Sequence, residues 1–366
     1  MSKSINTKVT RWLSTKPARY INSKSSIGNP IRFDGGESFI TKISKLEPIL
    51  AKITIQDINK YVDPSFKQLK QTIAKHEDIE DSMISITDGA DGAIELIPRI
   101  LLNKNDKVLV IEPTFFRFRD ATLKEGASVL SVQTEESDDF TIADGTIEKV
   151  IKITRKEKVK LIWLANPNNP TGQVISLRLI QKLLENTTCI LVVDESLIQF
   201  LPDHQKFSAI NLVNNSERLI ILKSLSKVFG LAGLRVGWII TNPKLAAVLE
   251  DFRPPYNIST ISEKIAREAI LSNNLALIQN TISKERNFII ENIRKLDNLH
   301  LVGNSQINIL LIKHKTKLLF NELLDKNILT ADFNTTEALR GKGYTRITLQ
   351  DRHKNLILIK ALESIN

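Results

Sequence analysis

Four short polar clusters stand directly after apolar runs or open helical stretches, and each holds groups able to bind an anion, accept a cation or carry a reactive amine. Thr87-Asp88-Gly89-Ala90-Asp91-Gly92 opens a helical pattern that ends near Leu101. Its backbone N–H groups can face a phosphate at a helix N-terminus, although a glycine turn with Asp91 as helix cap accounts for this cluster equally well. Asn166-Pro167-Asn168-Asn169-Pro170-Thr171-Gly172 is a rigid turn that puts two amides at the end of an apolar run. Asp194-Glu195 closes another such run, and a carboxylate at the edge of an apolar layer is costly unless it meets a cation. Lys223-Ser224-Leu225-Ser226-Lys227 ends a third, with Arg235 eight residues beyond Lys227. Taken singly, a lysine after a strand is only a surface charge.

The elements that must position these groups follow a regular alternation. Lys107 to Ile111, Ser128 to Val132, Leu161 to Ala165, Cys189 to Val193, Leu219 to Leu222 and Val236 to Thr241 are continuous and apolar, as strands covered on both faces are. Amphipathic stretches lie between them. In Leu177 to Glu185, residues Leu179, Ile180, Leu183 and Leu184 fall on one helical face. The pattern predicts an α/β fold with a mostly parallel central sheet flanked by helices. Arg253-Pro254-Pro255 interrupts it. Beyond come helices over Ser262 to Leu271 and Leu275 to about Leu296, a strand at Ile307 to Ile312, a helix near Leu318 to Lys326, a strand at Tyr344 to Leu349 and a closing helix from Lys354. We therefore expect a basic N-terminal arm (1–33), a large α/β domain (34–252) and a smaller C-terminal α+β domain (253–366). In open α/β sheets ligands gather beyond the carboxyl ends of the strands, which is where the four clusters fall.

The chain has 366 residues, 42% hydrophobic and 25% charged, enough to bury a large core. Its formal charge of +10 owes much to the first 33 residues, where Lys3, Lys8, Arg11, Lys16, Arg19, Lys24 and Arg32 face no acid. No zinc-ligand spacing, helix-turn-helix or aromatic RNA-binding strand accompanies that charge, so nucleic acid is not an expected partner. No apolar stretch approaches the roughly 18 residues of a membrane span. Cys189 is the single cysteine, sits in an apolar run and agrees with a reducing, cytoplasmic compartment. The five histidines, at 76, 204, 300, 314 and 353, lack ligand spacing, and no metal site is expected. Glu135-Glu136 and Asp138-Asp139 read as a solvated loop.

In order and spacing the clusters resemble the fold-type-I pyridoxal-phosphate (PLP) enzymes, and most closely the class I/II aminotransferases of the histidinol-phosphate aminotransferase and threonine-phosphate decarboxylase branch. The resemblance covers about residues 55 to 350. It rests on the Asn-Pro-Asn-Asn-Pro-Thr-Gly string, the Asp-Glu 25 residues after Asn169, and Ser-x-x-Lys with an arginine eight residues later. PLP is an electron sink, its protonated ring drawing off the electrons left when a bond to the substrate α-carbon breaks. The resemblance implies that Lys227 carries the cofactor and then moves the α-proton, that Asp194 pairs with the ring nitrogen, and that Asn169 hydrogen-bonds the ring oxygen O3′. It places Phe115 on the ring, with Phe118 as the neighbouring candidate. It gives the cofactor phosphate to Gly89, Ala90, Ser224, Ser226 and Arg235, and counts Asp91 among the other cofactor-binding residues. Tyr61 matches a tyrosine that reaches the cofactor of a neighbouring subunit, implying a homodimer with shared sites. Arg346, preferred to Arg340 and Arg352, matches the arginine that grips the substrate's anionic end, although an edge-strand surface arginine would look the same.

Two departures bear on substrate. Leu197 stands where many relatives have a tyrosine that donates to O3′, and non-tyrosine residues are also tolerated by the decarboxylases. Phe33-Asp34-Gly35-Gly36-Glu37-Ser38 replaces an Asn-Glu-Asn-Pro-like motif of the substrate pocket, with Glu37 as the surviving match. The expectation is an aminotransferase of amino-acid biosynthesis acting on an anionic amino acid or phosphorylated amine. The competing activity on this scaffold is decarboxylation of an O-phospho amino acid. A PLP-domain regulator of transcription would need a DNA-binding module that the basic arm does not supply.

Overall fold

The structure, a computed structural model, describes residues 29–40, 46–272, 275–334 and 336–366. Most of the basic arm, residues 1–28, lies outside the described residues. Thirteen strands occur among those described: β1 (Ile31–Arg32), β2 (Ile84–Thr87), β3 (Lys107–Glu112), β4 (Ser128–Gln133), β5 (Leu161–Ala165), β6 (Ile190–Asp194), β7 (Leu219–Ser224), β8 (Gly237–Ile240), β9 (Leu299–Leu301), β10 (Ile309–His314), β11 (Ile328–Leu329), β12 (Ala331–Asp332) and β13 (Thr345–Thr348). The central sheet has seven, in the order β2-β8-β7-β6-β5-β3-β4. β3 to β7 run parallel, and β8 is antiparallel to both its neighbours. The expectation of a mostly parallel sheet flanked by helices is met.

Strand composition explains the layering. Successive side chains on a strand face opposite ways, so Leu191, Val193, Leu219 and Ile221 enter one apolar layer and Val192, Ile220 and Leu222 the other. On the first side pack the helices Lys67–Glu77, Asp144–Glu157 and Leu177–Asn186, and on the second Gly89–Leu101, Arg117–Lys124 and Pro243–Phe252. Leu179, Ile180, Leu183 and Leu184 form the buried stripe their spacing predicts. β2 was not expected from the sequence: Ser85 and Thr87 interrupt its apolar pattern, yet all four of its residues are buried. Ile86 N donates to Glu250 Oε1 at 3.2 Å, so a carboxylate serves this edge strand.

A second sheet, antiparallel and ordered β12-β13-β10-β9, carries the residues near the C-terminus. Its strand β10 begins two residues later than the sequence suggests. Ser305 Oγ donates to Ile309 O at 2.6 Å, closing a turn over 305–309, and the Asn308 amide is turned toward residues 36 and 37. Glu136 overturns the solvated-loop expectation. Its carboxylate accepts from Lys313, from Lys342 at 3.1 Å and from the Tyr344 hydroxyl at 2.9 Å. The sequence conceals this because all three donors lie more than 170 residues away.

Candidate active site

The ends of β5, β6 and β7 lie level, because Ala165 pairs with Asp194 and Asp194 with Leu222 in the ladder. The chain leaves all three strands at one rim of the sheet. Asp194 is the last residue of β6, Lys227 lies three residues past β7, and Asn169 sits in the turn after β5. Asp194 is buried, and its carboxylate accepts from Ser196 N at 2.9 Å. Burial pushes its carboxyl above the ordinary aspartate value, only partly countered by Ser196 and by the charge of Lys227. Lys227 Nζ has neither a hydrogen bond nor an ion pair among the described residues. Burial, reinforced by the positive charge of Arg346, pushes its amine below the ordinary lysine value. A buried acid and a half-buried amine, neither in an ion pair, are expensive arrangements, and each feels the charge of the other.

Arg346 enters from β13 of the other sheet. Its Nη1 donates to Asn169 Oδ1 at 2.8 Å and its Nη2 to Asp34 O at 2.5 Å. Asn169 thereby keeps its Nδ2 hydrogens for another acceptor. Of the other two arginines considered, Arg352 pairs with Glu285 and Arg340 is exposed. The segment 33–37 closes this side. Gly36 has φ +75, and a Cβ there would stand 3.3 Å from Lys227 Nζ and 3.7 Å from Arg346 Nη2. Gly36 N donates to Thr348 Oγ1 at 3.0 Å, and Asn308 Nδ2 donates to Gly36 O at 3.3 Å and to Glu37 O at 3.4 Å. Glu37 has an exposed side chain whose charge opposes the lowering of the Lys227 amine. Sequence reasoning overlooked Gly36, Asn308 and Thr348. The Gly35-Gly36 pair was the available signal, since a left-handed backbone beside a functional group favours glycine.

Where β7 ends and the helix Gly89–Leu101 begins, hydroxyls, a guanidinium and a helix N-terminus converge. Ser226 Oγ lies 2.9 Å from Ser224 Oγ and 3.4 Å from Arg235 Nη1, while Arg235 Nη2 donates to Asp88 O at 3.3 Å. Gly89 (φ +80) begins the helix, and a Cβ on it would meet Arg235 Nη2 at 2.5 Å. A Cβ on Gly237 would come within 2.7 Å of Gly89 C and 3.0 Å of Ala90 N. Both glycines are needed for the backbone to close this cradle, whose donors suit a phosphate. Asp91 is no helix cap: its carboxylate is 3.3 Å from Arg117 Nε and 3.7 Å from Arg235 Nη2.

Two aromatic candidates separate clearly. Phe118 is fully buried and stacks on Trp163 at 4.8 Å and 3°, whereas Phe115 stays half-buried after the end of β3. Tyr61 is not brought to the cluster within one chain. It is 83% exposed, and its ring stacks on Tyr256 at 4.5 Å. Leu197 is buried in the apolar layer behind the rim. Glu195, beside Asp194, turns to the opposite face of the sheet, where it accepts from Ser208 Oγ at 2.6 Å and Ala209 N at 2.7 Å and lies 3.7 Å from Lys223 Nζ.

The donor set fits pyridoxal phosphate. The cradle offers cationic and N–H groups to the phosphate, Asp194 requires a cation such as a protonated ring nitrogen, Asn169 has donors to spare, and Lys227 supplies an amine for the aldehyde. Residues 29–362 match the family model for class I and II aminotransferases. The chain is 31% identical over 340 residues to a histidinol-phosphate aminotransferase of Clostridium novyi, covering 92% of both chains. Its fold is similar to that of histidinol-phosphate aminotransferase from Sinorhizobium meliloti in complex with pyridoxal-5′-phosphate (TM-score 0.83, 21% identity, 100% of each chain). It is also similar in fold to L-threonine-O-3-phosphate decarboxylase from Porphyromonas gingivalis (TM-score 0.75, 22% identity, 92% of this chain and 99% of that one). With this rim of groups and a family match that spans nearly the whole chain, the protein belongs to the class I and II aminotransferases, and is a PLP-dependent transaminase of fold type I.

Proposed function

We propose that the protein transaminates L-histidinol phosphate, or a closely similar phosphorylated amine, against an oxo acid. The observation that supports this reading is a pair of donor groups suited to anions, the cradle around Arg235 and the guanidinium of Arg346, whose charge acts on Lys227. The first suits the cofactor phosphate and the second the anionic end of the substrate. The named relatives at about 31% identity favour the phosphorylated amine.

When bound, PLP supplies the electron sink that makes the α-proton of an amine removable. In our reading Gly89, Ala90, Ser224, Ser226 and Arg235 hold its phosphate, with Asp91 setting the orientation of Arg235. Asp194 would keep the ring nitrogen protonated, Asn169 would donate to the ring oxygen, and Phe115 would cover the ring face. Lys227 Nζ would hold the cofactor and, once free, would serve as the base that accepts the proton from the substrate α-carbon. The amine of Lys227 suits this task because burial and Arg346 already favour its neutral, basic form. Arg346 and the 33–37 segment with Glu37 orient the substrate. Tyr61, exposed in one chain, completes the phosphate site of a second copy in a homodimer. A cytoplasmic enzyme of amino-acid biosynthesis agrees with this chemistry, and no helix among the described residues is long and apolar enough to cross a membrane.

The test is a two-stage reaction of PLP-loaded protein. Histidinol phosphate alone should be consumed once per site, and added 2-oxoglutarate should restore turnover, with no CO2 released. Release of CO2 from L-threonine phosphate, with no reaction toward histidinol phosphate, would replace the transaminase reading by the decarboxylase.

A further inference from the structure

The connection 134–141 leaves edge strand β4 of the seven-stranded sheet for the helix Asp144–Glu157 and on the way touches residues of the four-stranded sheet. Glu136 is its anchor, with Lys313, Lys342 and the Tyr344 hydroxyl gathered on one carboxylate. Further along, Asp139 Oδ1 pairs with His300 Nε2 at 3.1 Å, and its carbonyl accepts from Gln173 Nε2 at 2.7 Å. Phe140 is buried in an apolar group with Val302, Leu311, Phe333, Leu339 and Tyr344, its ring edge-on to Tyr344 at 5.6 Å. Asp139 and Phe140 both have positive φ, +46 and +59. Two successive non-glycine residues persist in that region only where the surroundings over-determine them, and here those surroundings belong largely to the other sheet.

The same group bears on Arg346. Tyr344 immediately precedes β13, two residues before Arg346, and Leu311, the cross-strand partner of Arg346, belongs to the same apolar group as Tyr344. The Arg346 guanidinium lies 5.7 Å from the ring of Phe333, a member of the apolar group that Tyr344 and Phe140 complete. Packing is therefore continuous from Glu136 through Tyr344 and Phe333 to the guanidinium.

We propose that Glu136 is a positioning residue for Arg346: by fixing the Tyr344 hydroxyl and the Lys313 and Lys342 ammoniums to the end of β4, it sets where β13 presents the guanidinium. The proposal rests on the reading of Arg346 as the group that binds the substrate's anionic end. Burial opposes the charge of Glu136, but its three donors outweigh burial and hold the carboxyl at about 2. The anchor is thus charged throughout the neutral range, and its effect on substrate binding is independent of pH between about 6 and 8.

The experiment compares PLP-loaded wild type with Glu136→Gln, Tyr344→Phe, Arg346→Gln and the Glu136→Gln/Arg346→Gln double variant. Its readouts are the half-reaction with L-glutamate, giving an apparent dissociation constant and a limiting rate, and separately the affinity for PLP. The expected result is a dissociation constant raised about 5- to 20-fold by Glu136→Gln and Tyr344→Phe. The limiting rate should stay within about twofold and PLP affinity should not change. In the Arg346→Gln background Glu136→Gln should add less than about twofold, because both act through one group. If Arg346→Gln weakens glutamate binding while Glu136→Gln and Tyr344→Phe do not, the positioning role is overturned. It is equally overturned if Glu136→Gln weakens binding as much without Arg346 as with it. An unchanged dissociation constant in Arg346→Gln overturns instead the underlying reading of Arg346, and the proposal falls with it. Should Glu136→Gln fail to fold, Tyr344→Phe, which loses one hydroxyl, decides the matter by the same criteria.

Discussion

Lys223 lies near the end of β7 and Lys227 three residues beyond it, while Asp194 ends the adjoining strand and Glu195 follows it, yet the two lysine–acid sets are built in opposite ways. Behind the sheet, Lys223 Nζ is 2.7 Å from Glu77 Oε2 and 3.7 Å from Glu195 Oε2. Burial disfavours its charge, but the two carboxylates outweigh burial and hold its amine above the ordinary lysine value. On the rim side, Asp194 is buried and Lys227 half-buried without such partners, and each is pushed toward its neutral form. The same residue types thus stabilise the fold on one face and store unfavourable burial on the other. The difference marks the functional face, since uncompensated ionisable groups persist where a ligand completes them.

Substitutions should respond to that contrast in opposite directions. The largest change in stability is expected from Lys223→Met, which leaves Glu77 and Glu195 buried without their cation and should cost about 3–5 kcal/mol in urea unfolding. A loss below about 1 kcal/mol would break the comparison, because Lys223 would then be no more structural than Lys227. Next, Arg346→Lys keeps the charge that opposes protonation of Lys227 but loses the planar fork that reaches both Asn169 and Asp34 O. The Michaelis constant for the amino substrate should rise about 10- to 100-fold, with a smaller change in kcat.

Asp194→Asn should stabilise the cofactor-free protein by about 1 kcal/mol while weakening PLP binding and turnover. The pH dependence carries its signature. Because the folded-state pKa of Asp194 is raised, the folded protein binds more protons than the unfolded chain between the ordinary aspartate value and the raised one, so this group's contribution to stability falls as pH rises through that window. Lys227 has the reverse sign on the alkaline side. Its depressed pKa makes stability rise with pH up to the ordinary lysine value, and Lys227→Met should remove that slope. Urea unfolding of the cofactor-free protein across pH measures both slopes. The smallest effect is expected from Leu197→Tyr. A phenolic donor to the ring oxygen should lower the pH at which the bound cofactor's visible absorbance changes, by on the order of one unit, and an unmoved transition would show that Leu197 does not face that oxygen.

Much of this arrangement is legible in the sequence because strands covered on both faces leave continuous apolar runs. Leu161–Ala165 and Leu219–Ser224 lead directly into the Asn169 and Lys227 loops. Sequence order alone therefore brings the clusters to one rim. What sequence does not show is pairing at a distance. Strand Ile84–Thr87 escapes notice because Ser85 and Thr87 break its pattern, although β8 buries both. Glu136 looks solvated until Lys313, Lys342 and Tyr344 fold onto it. The opposite fates of Lys223 and Lys227 are likewise invisible, since only the helix Lys67–Glu77 brings Glu77 to the first.

The most direct test is to load the purified protein with PLP, record its absorbance, reduce it with borohydride and locate the modified lysine by peptide mass spectrometry. The account predicts a visible band that disappears on reduction and a pyridoxyl group on Lys227 alone. A cofactor fixed to Lys223 or to any other lysine, or no band in protein shown to bind PLP, would contradict it.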